Sequence, residues 1–254
     1  MFDAHPTWRL GRALTVALPL MLAVACWPKP SITPTLYEPT YTYEPTVRTG
    51  GNGVSIALIE PTWPDLTPGQ KLTDQDADYA RAILSSTTRM LTGAGISVSG
   101  PFKAVDDMTF PEKQQADLVL TIGIHTAFTA PAMQKSFTTN WLSAMVVGSG
   151  AVTTWYSANG NCSTATTVDL VFWESLSRQR MWAKTVTADG EAMPCSLEKN
   201  NNGAAYAIFA TNEYRLAMHE GFPDVMAGIE RYLDPTEVAL VKSQSLELRD
   251  KKVY

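Results

Sequence analysis

The sequence predicts an α/β fold, a two-layer sandwich in which a mixed sheet with an antiparallel meander carries helices on one face. Two observations lead to this prediction. Strand-like and helix-like segments alternate at first, and three strand-like segments with turn residues between them then precede a helical C-terminal part. The apolar content of 45% favours one sizeable core. We therefore expect a single α/β domain, with C-terminal helices, over residues 53–254.

The N-terminal residues 1–25 have the features of a signal peptide. Arg9 and Arg12 precede an apolar run that is short for a membrane-spanning helix. The run ends in "AVAC", which resembles the lipobox of bacterial lipoproteins, where the cysteine becomes the lipidated first mature residue. This resemblance implies acylation, as with palmitate, at Cys26. The alternative is an ordinary secretory signal that leaves Cys26 inside a later mature chain.

Residues 26–52 form a segment rich in proline, threonine and tyrosine, in which "YEPT" occurs twice, starting at Tyr37 and Tyr43. Proline fixes its own backbone angle and pushes the preceding residue towards extended conformations. The segment is therefore predicted to be a semi-rigid tether between the anchor and the domain. The alternative is a partner-docking segment that presents its tyrosines in extended form.

The first elements of the domain follow from local patterns. The β-branched run "VSIALIEP" predicts a strand, and Thr73 with Asp76 predicts the start of a helix that Gly93 and Gly95 end. "ISVSG" is the second strand. In the third, "ADLVLTIGIHTAF", apolar residues alternate with smaller or polar ones, which predicts that one face is buried.

The second half predicts a meander followed by helices. Its strand-like segments are "SGAVTTWYSA", "STATTVDLVFWES" and "RQRMWAKTVTA", and the tight turn "SLSRQ" joins the last two. Trp173 and Trp182 are placed to face each other across this hairpin as a cross-strand pair. From Gly203 onward the pattern is helical, Pro223 is expected to start or kink a helix, and the C-terminal stretch is expected to fray.

Two cysteines besides Cys26 remain in the chain, Cys162 and Cys195. An even pair in an exported protein favours a disulfide, and two buried thiols are the alternative. No histidine or further cysteine lies at ligand spacing, so no metal site is predicted.

No catalytic motif is found, so the chain is predicted not to be an enzyme and no cofactor is expected. Zinc-helix, nucleophile-elbow, phosphate-loop and dinucleotide patterns are all missing from the sequence. Ser149 lies in a "GSG" predicted to be a turn, while His125 and His219 are single histidines that favour structural roles. A net charge of −5 without a cluster of basic residues argues against a nucleic-acid partner.

The segment from Ala127 to Gly148 is predicted to be a long loop with an apolar end. Loops usually lie at the surface, and an exposed apolar loop marks a contact surface. We therefore predict a partner-binding segment whose residues are Trp141, Leu142, Met145 and Val146.

The lipobox, the Pro-rich segment and four stretches of the domain resemble the neuraminyllactose-binding haemagglutinin family of outer-membrane lipoproteins, over roughly residues 53–252. The stretches are "VSIALIEPTW", "RMLTGAGISVSG", "ADLVLTIGI" and the hairpin "VDLVFWESLSRQRMWAKT". The hairpin is also similar to the domains of penicillin-binding-protein activators and of CsgG-type curli-assembly lipoproteins. Where the haemagglutinin family has a Lys-rich stretch proposed to meet sialic acid, this chain offers only Lys135, which weighs against that sugar.

These resemblances imply a non-enzymatic protein that is lipid-anchored at the bacterial outer membrane and faces the periplasm or the cell surface. Its expected role is envelope assembly or structural partner binding, with another envelope protein or a second copy as partner. The alternative is a surface adhesin that binds glycan. In lipoproteins of this kind an aspartate after the lipidated cysteine retains the protein in the inner membrane, and this chain has Trp27 there, which favours the outer membrane.

Overall fold

The computed structural model describes residues 36–46, 48–65, 73–129, 134–139, 152–190, 192–199 and 204–251. Within these ranges, no helix combines the length and the apolar character that crossing a membrane requires. The predicted signal peptide and Cys26 lie outside the described residues, and so do the predicted contact residues Trp141, Leu142, Met145 and Val146.

The elements follow the predicted order, strands with an intervening helix first and long helices last. They are β1 (Ser55–Ile59), α1 (Asp74–Gly93), β2 (Ser97–Phe102), a 3₁₀ turn (Val105–Asp107), α2 (Phe110–Gln115), β3 (Leu118–Thr129), β4 (Gln134–Thr139), β5 (Val152–Glu174), β6 (Arg180–Asp189), β7 (Met193–Lys199), α3 (Ala204–Tyr232) and α4 (Pro235–Lys251). Helix α3 runs through Pro223 and does not begin there.

The main sheet is mixed, as predicted. Strand β1 pairs in parallel with β2 on one side and with β3 on the other. Strand β3 then pairs antiparallel with the C-terminal half of β5, and β6 pairs antiparallel with the same half on its other edge. The strand order β2-β1-β3-β5-β6 therefore joins a parallel part to an antiparallel part, which confirms the α/β fold class.

The predicted meander is wrong in one respect, because its first two strands are one continuous strand. Strand β5 is 23 residues long and runs through "NGN" at residues 159–161, which the sequence marks as turn material. Its N-terminal half pairs with β4 and β7, two strands that the sequence did not predict. Strand β7 pairs with Tyr156–Cys162 of β5, a stretch that leads from the residues that pair with β4 to those that pair with β3. This pairing keeps the segment in the sheet despite the low strand propensity of glycine and asparagine.

Helix α1 begins and ends where the sequence predicts. The Thr73 hydroxyl accepts a hydrogen bond from the Asp76 backbone N–H, and the Asp76 carboxylate accepts one from the Thr73 N–H, both at 3.3 Å. This capping box satisfies two N–H groups that have no partner inside the helix. Beyond the last turn, Gly95 has a φ of +86°, a conformation that glycine adopts without strain.

The main core lies between the sheet and the helices α1, α3 and α4. Alternate residues of β3 point into it, as the apolar alternation predicts, and the apolar stripe of α3 faces them. The largest fully buried side chains of the described residues are Tyr79, Phe172, Phe222, Ile56, Leu58, Ile83, Leu91, Leu118, Leu120, Ile122, Ile124 and Leu170. The long helices therefore cover one face of the sheet.

The opposite face of the sheet is covered only in part by described residues. Met108 and Ala116, which directly follow the 3₁₀ turn and α2, form a small second core with Ala57, Ile59 and Val119 of β1 and β3. Towards β5 and β6 the outward side chains are half-buried or exposed. We call this uncovered part of the sheet, formed by β3, β5 and β6, the open face.

The second half of the predicted tether packs on the domain. We call residues 36–46 and 48 the strap. Tyr41 and Tyr43 of the strap pack against the main core, and Thr46 and Arg48 contact acidic side chains near the end of α3. The proline pattern correctly predicts an extended chain. Alternate residues of the strap, its tyrosines among them, are half-buried, so this part of the segment packs on the domain and is not a free tether.

The strap is expected to loosen at alkaline pH. Burial, together with a hydrogen bond to Glu230, raises the pKa of Tyr43 from 10.0 to about 12. Because the folded-state pKa is the higher one, the stabilising contribution of Tyr43 is complete below pH 10 and is lost as the pH rises towards 12. Urea unfolding of the native chain and of Tyr43→Phe between about pH 9 and about pH 12 measures this loss.

Burial also raises the pKa of Tyr41, Tyr79 and Tyr214, so both proteins should lose stability above pH 10. Tyr43→Phe should lose less. Equal losses in the two proteins contradict the assignment to Tyr43.

Candidate binding face

The open face is built by the register of β3 against β5. Thr121 lies opposite Val171, and Gly123 lies opposite Asp169. Side chains that face each other across an antiparallel pair share one side of the sheet, so the outward residues of β3 lie beside those of β5. The outward residues of β3 from Thr121 onward are small or polar, whereas β5 adds Val171 and Trp173, so the open face presents hydrogen-bonding groups beside a few apolar side chains.

A groove of about 300 Å³ lies at one end of the open face and is lined by Val105, Asp106, Thr121, Trp173 and Arg178. The indole Nε1 of Trp173 donates a hydrogen bond of 2.9 Å to the Thr121 hydroxyl, which fixes the ring against the sheet. Arg178 and Asp106 form an ion pair between two exposed side chains. Arg178 occupies the β5–β6 turn with a φ of +57°, so this turn and the 3₁₀ turn together supply the charged groups.

The predicted pair of Trp173 and Trp182 is wrong. In the regular register of β5 with β6, Trp182 lies opposite Phe172, and a register shift after this pair places Trp173 opposite Arg180. The Trp182 ring packs on the Phe172 ring at a centroid distance of 5.3 Å, on the helix side of the sheet. Because Trp173 is the neighbour of Phe172 on β5, it lies on the face opposite to Trp182, at the groove.

Further along the open face, His125 lies between two carboxylates. Its Nδ1 is 2.8 Å from Asp65 Oδ2, and its Nε2 is 3.3 Å from Asp169 Oδ2. Asp65 reaches this position because Thr62 pairs with β3 at Gly123. The Thr185 hydroxyl donates a hydrogen bond of 2.6 Å to Asp169 Oδ1.

The chemistry of this cluster is that of a structural link. The two carboxylates approach opposite nitrogens of one ring, so they do not converge on a point where a metal ion can sit. The described part of the chain holds no group of three or more His, Cys, Asp or Glu side chains suited to a metal ion. Thr185 donates to Asp169 and not to His125, so the hydroxyl is not paired with the histidine as a base.

The predicted cysteine pair lies on neighbouring strands. Cys162 of β5 is fully buried, and it lies opposite Met193, two residues before Cys195 on β7. This placement brings the two residues close in the sheet, and the disulfide between them stays a prediction.

The remaining candidates are dispersed. Ser149 lies outside the described residues, and Lys135 lies on β4. His219 lies on α3 beneath the strap, on the helix side of the sheet. The structure therefore does not bring it together with His125.

The sequence did not point to Asp65, Thr121, Asp169 or Arg178. The available signal was weak. Asp169 is a polar residue in the strand "TTVDLVFWE", and its alternation with buried neighbours places it on an outward face. Which residues then lie beside it depends on the register with β3, and that is a property of the assembled sheet.

The chain therefore forms a two-layer α/β domain with helices on one face of its sheet and a groove on the other. Comparison of the sequence with family models finds no match, and comparison with curated proteins finds none.

Solved structures do match. A homolog of the neuraminyllactose-binding haemagglutinin from Helicobacter pylori is 15% identical with a TM-score of 0.53, and the match covers 83% of this chain and 100% of that chain. This likeness confirms the predicted resemblance at the level of the fold.

Two further solved structures share less with the chain. A protein from Xanthomonas campestris is 13% identical with a TM-score of 0.39, over 83% of this chain and 99% of that chain. Lipoprotein GNA1162 from Neisseria meningitidis is 15% identical with a TM-score of 0.26, over 65% of this chain and 98% of that chain.

Proposed function

We propose that this chain is a non-enzymatic outer-membrane lipoprotein whose α/β domain binds another envelope protein, as an assembly factor or a structural component. The observation that carries the proposal is the groove on the open face. It offers an aromatic wall and an ion pair, which are groups that recognise a partner. The lipobox at Cys26 supports the membrane anchor.

Binding fits the open face better than catalysis does. Both ring nitrogens of His125 lie next to carboxylates, and the Trp173 indole already donates to Thr121. An exposed Arg beside a half-buried Trp is typical of the residues that dominate protein interfaces. The shared fold is compatible with this function but does not by itself assign it.

Glycan binding is the second candidate function, and one observation favours it. Trp173 lines the groove beside Asp106 and Arg178, and sugars bind by stacking on an aromatic ring while charged side chains accept and donate hydrogen bonds at their hydroxyls. The same groove would serve both functions, so the experiment must separate the two ligands.

A photo-crosslinking amino acid at position 107, an exposed neighbour of the groove residue Asp106, in the full chain expressed in cells, tests the proposal. We expect one saturable adduct with an envelope protein, and we expect Trp173→Ala to weaken that binding about thirtyfold, as loss of an interface hot spot does. Trp182→Ala makes the same chemical change on the helix side and is the control. It should leave the adduct intact when compared at equal amounts of folded protein.

The predicted contact residues enter the same experiment as a second surface. The segment that contains Trp141 and Met145 connects β4 to β5, and changing both residues to serine should lower the adduct yield if the partner also contacts this segment. If the adduct survives Trp173→Ala but is lost in the double variant, the interface lies at the β4–β5 connection and not at the groove. An adduct that survives both contradicts the proposal.

Two further measurements separate the candidate functions and test the anchor. Protease that removes the domain from intact cells, together with sugar-dependent loss of the adduct, favours glycan binding at the surface. Protection of the domain favours an envelope partner in the periplasm. Palmitate labelling that persists in Cys26→Ala contradicts the lipoprotein assignment.

A further inference from the structure

The strap lies along the helical layer, in a cleft between α1 and α3. The Tyr41 ring enters this cleft and contacts the ring of Tyr79 on α1 and the ring of Phe222 on α3, each at a centroid distance of 5.2 Å. The His219 ring lies 6.2 Å from Tyr41 and also 6.2 Å from Tyr37. The cleft is therefore an aromatic site that holds the strap by side chains at alternate positions.

The N-terminal end of the strap is held through its backbone. The Tyr37 N–H donates a hydrogen bond of 2.7 Å to Asn212 Oδ1, and the Tyr37 carbonyl accepts one of 2.6 Å from Arg215. These two side chains of α3 bind the same groups that a neighbouring strand would bind. Contacts to main-chain groups recognise an extended segment and not a particular residue type.

The C-terminal end of the strap is held through acidic side chains. Glu230, whose side chain is only 6% exposed, accepts hydrogen bonds from the Tyr43 hydroxyl and from the Thr46 N–H. Arg48 donates a hydrogen bond of 2.8 Å to Asp234. The two ends of the cleft thus carry complementary polar groups, and the middle carries aromatic rings.

Between these ends the strap resembles a bound peptide more than an integral strand. Its odd-numbered residues from Tyr37 to Pro45 are half-buried, while its even-numbered residues from Leu36 to Thr46 are exposed. Among the described residues, no backbone-to-backbone hydrogen bond joins the strap to the domain. The Tyr41 hydroxyl and His219 Nδ1 are buried in the cleft without a hydrogen-bond partner in the described part of the chain, so the fit of strap to cleft is incomplete.

We propose that the α1–α3 cleft is a binding site for an extended segment with aromatic side chains at alternate positions, and that the strap is its resident, releasable ligand. Release exposes the aromatic cleft and lengthens the chain between anchor and domain. This second consequence rests on the proposed lipid anchor at Cys26. With the strap docked, residues 26–35 span at most about 36 Å, whereas with the strap released, residues 26–50 span at most about 90 Å.

Competition in solution tests the proposal without any membrane. Spin labels on cysteines introduced at Thr40, an exposed strap position, and Ser85, an exposed position of α1, report the distance between strap and domain in the full chain with Cys26 replaced by alanine. We expect one narrow distance for the docked strap. An excess of a synthetic peptide with the sequence of residues 36–48 should displace the strap and broaden the distribution, and a peptide with alanine at its three tyrosines should not.

Variants supply the matched comparison. Glu230→Gln weakens two hydrogen bonds to a buried charged group and should lower the ratio of docked to released strap about ten- to a hundredfold. Glu38→Gln makes the same chemical change at an exposed strap position and should leave that ratio unchanged. The proposal is overturned if neither the peptide nor Glu230→Gln changes the distance. It is also overturned if the strap is released only in protein that has lost its cooperative melting transition.

A membrane measurement then tests the second consequence. Both proteins are lipidated and bound to phosphatidylethanolamine–phosphatidylglycerol vesicles. The domain of the native chain should then lie nearer to a headgroup fluorophore than the domain of Glu230→Gln does. Equal distances in the two proteins contradict the effect on reach. Failure of the chain to bind the vesicles contradicts the lipid anchor instead and leaves the solution result as an independent test of the cleft.

Discussion

Replacing Arg249 with alanine is expected to lower the free energy of unfolding by about 3–5 kcal/mol, because the change removes one partner of a buried ion pair. Arg249 Nε lies 2.7 Å from Glu174 Oε1, and the Glu174 side chain is fully buried. A second nitrogen of the Arg249 guanidinium, Nη2, donates hydrogen bonds of 2.7 Å to the Ala116 carbonyl and 2.6 Å to the Ser175 hydroxyl. One side chain of α4 therefore ties the C-terminal helix to the β5–β6 turn and to the end of α2.

Urea unfolding at neutral pH measures this loss, and Arg178→Ala is the matched control. The Arg178–Asp106 pair joins side chains that are 51% and 73% exposed, so its loss should cost less than about 1 kcal/mol. Similar losses for the two variants would show that burial does not distinguish the pairs.

The same site should make the fold sensitive to acid. Burial acts to raise the pKa of Glu174, but hydrogen bonds from Ser177, Arg249 and Leu176 outweigh burial and hold this pKa below its usual value of 4.5. The stabilising contribution is therefore present above pH 4.5 and is lost as the pH falls through the lowered pKa. Arg249→Ala should accordingly lose less stability on acidification than the native chain does.

Replacing Phe222 with alanine is expected to lower the free energy of unfolding by about 3–5 kcal/mol as well, here by opening a cavity. Phe222 is 1% exposed, and its ring lies 5.6 Å from Tyr79 and 5.2 Å from Tyr41. The change removes the floor of the α1–α3 cleft, so the strap should also dock less tightly.

Phe110→Ala is the matched control for this second prediction. Phe110 is 60% exposed at the start of α2, and the same truncation there should change the free energy of unfolding by no more than about 0.5 kcal/mol. Urea unfolding followed by circular dichroism measures both variants. A loss below about 1 kcal/mol for Phe222→Ala would show that the cleft closes over the cavity.

Both large effects arise where α3 or α4 meets a distant part of the chain, and neither lies on the open face. Trp173 packs against the small second core and not against the main core, so Trp173→Ala should cost less stability than Phe222→Ala. This separation lets binding and stability be measured on different variants.

Elements whose signals are local follow from the amino-acid sequence alone. The capping box at Thr73 and Asp76 and the glycine after Ala94 lie within the turns that they start and stop, so the bounds of α1 followed directly. The alternation in β3 likewise needs only a period of two residues to show which side chains are buried. These signals were sufficient for the α/β class and for the order of its first elements.

Which elements meet, in contrast, depends on contacts between distant parts of the chain. Strand β5 continues through "NGN" because β7, more than thirty residues later, pairs with it there. The strap lies on α3 because Asn212, Arg215 and Glu230 bind a proline-rich segment that they follow by well over a hundred residues. The groove and the His125 link likewise depend on strand register. A local pattern records how a segment is shaped and which side it buries, whereas its partner is set by the packing of the whole chain, where many weak contacts between distant residues add together.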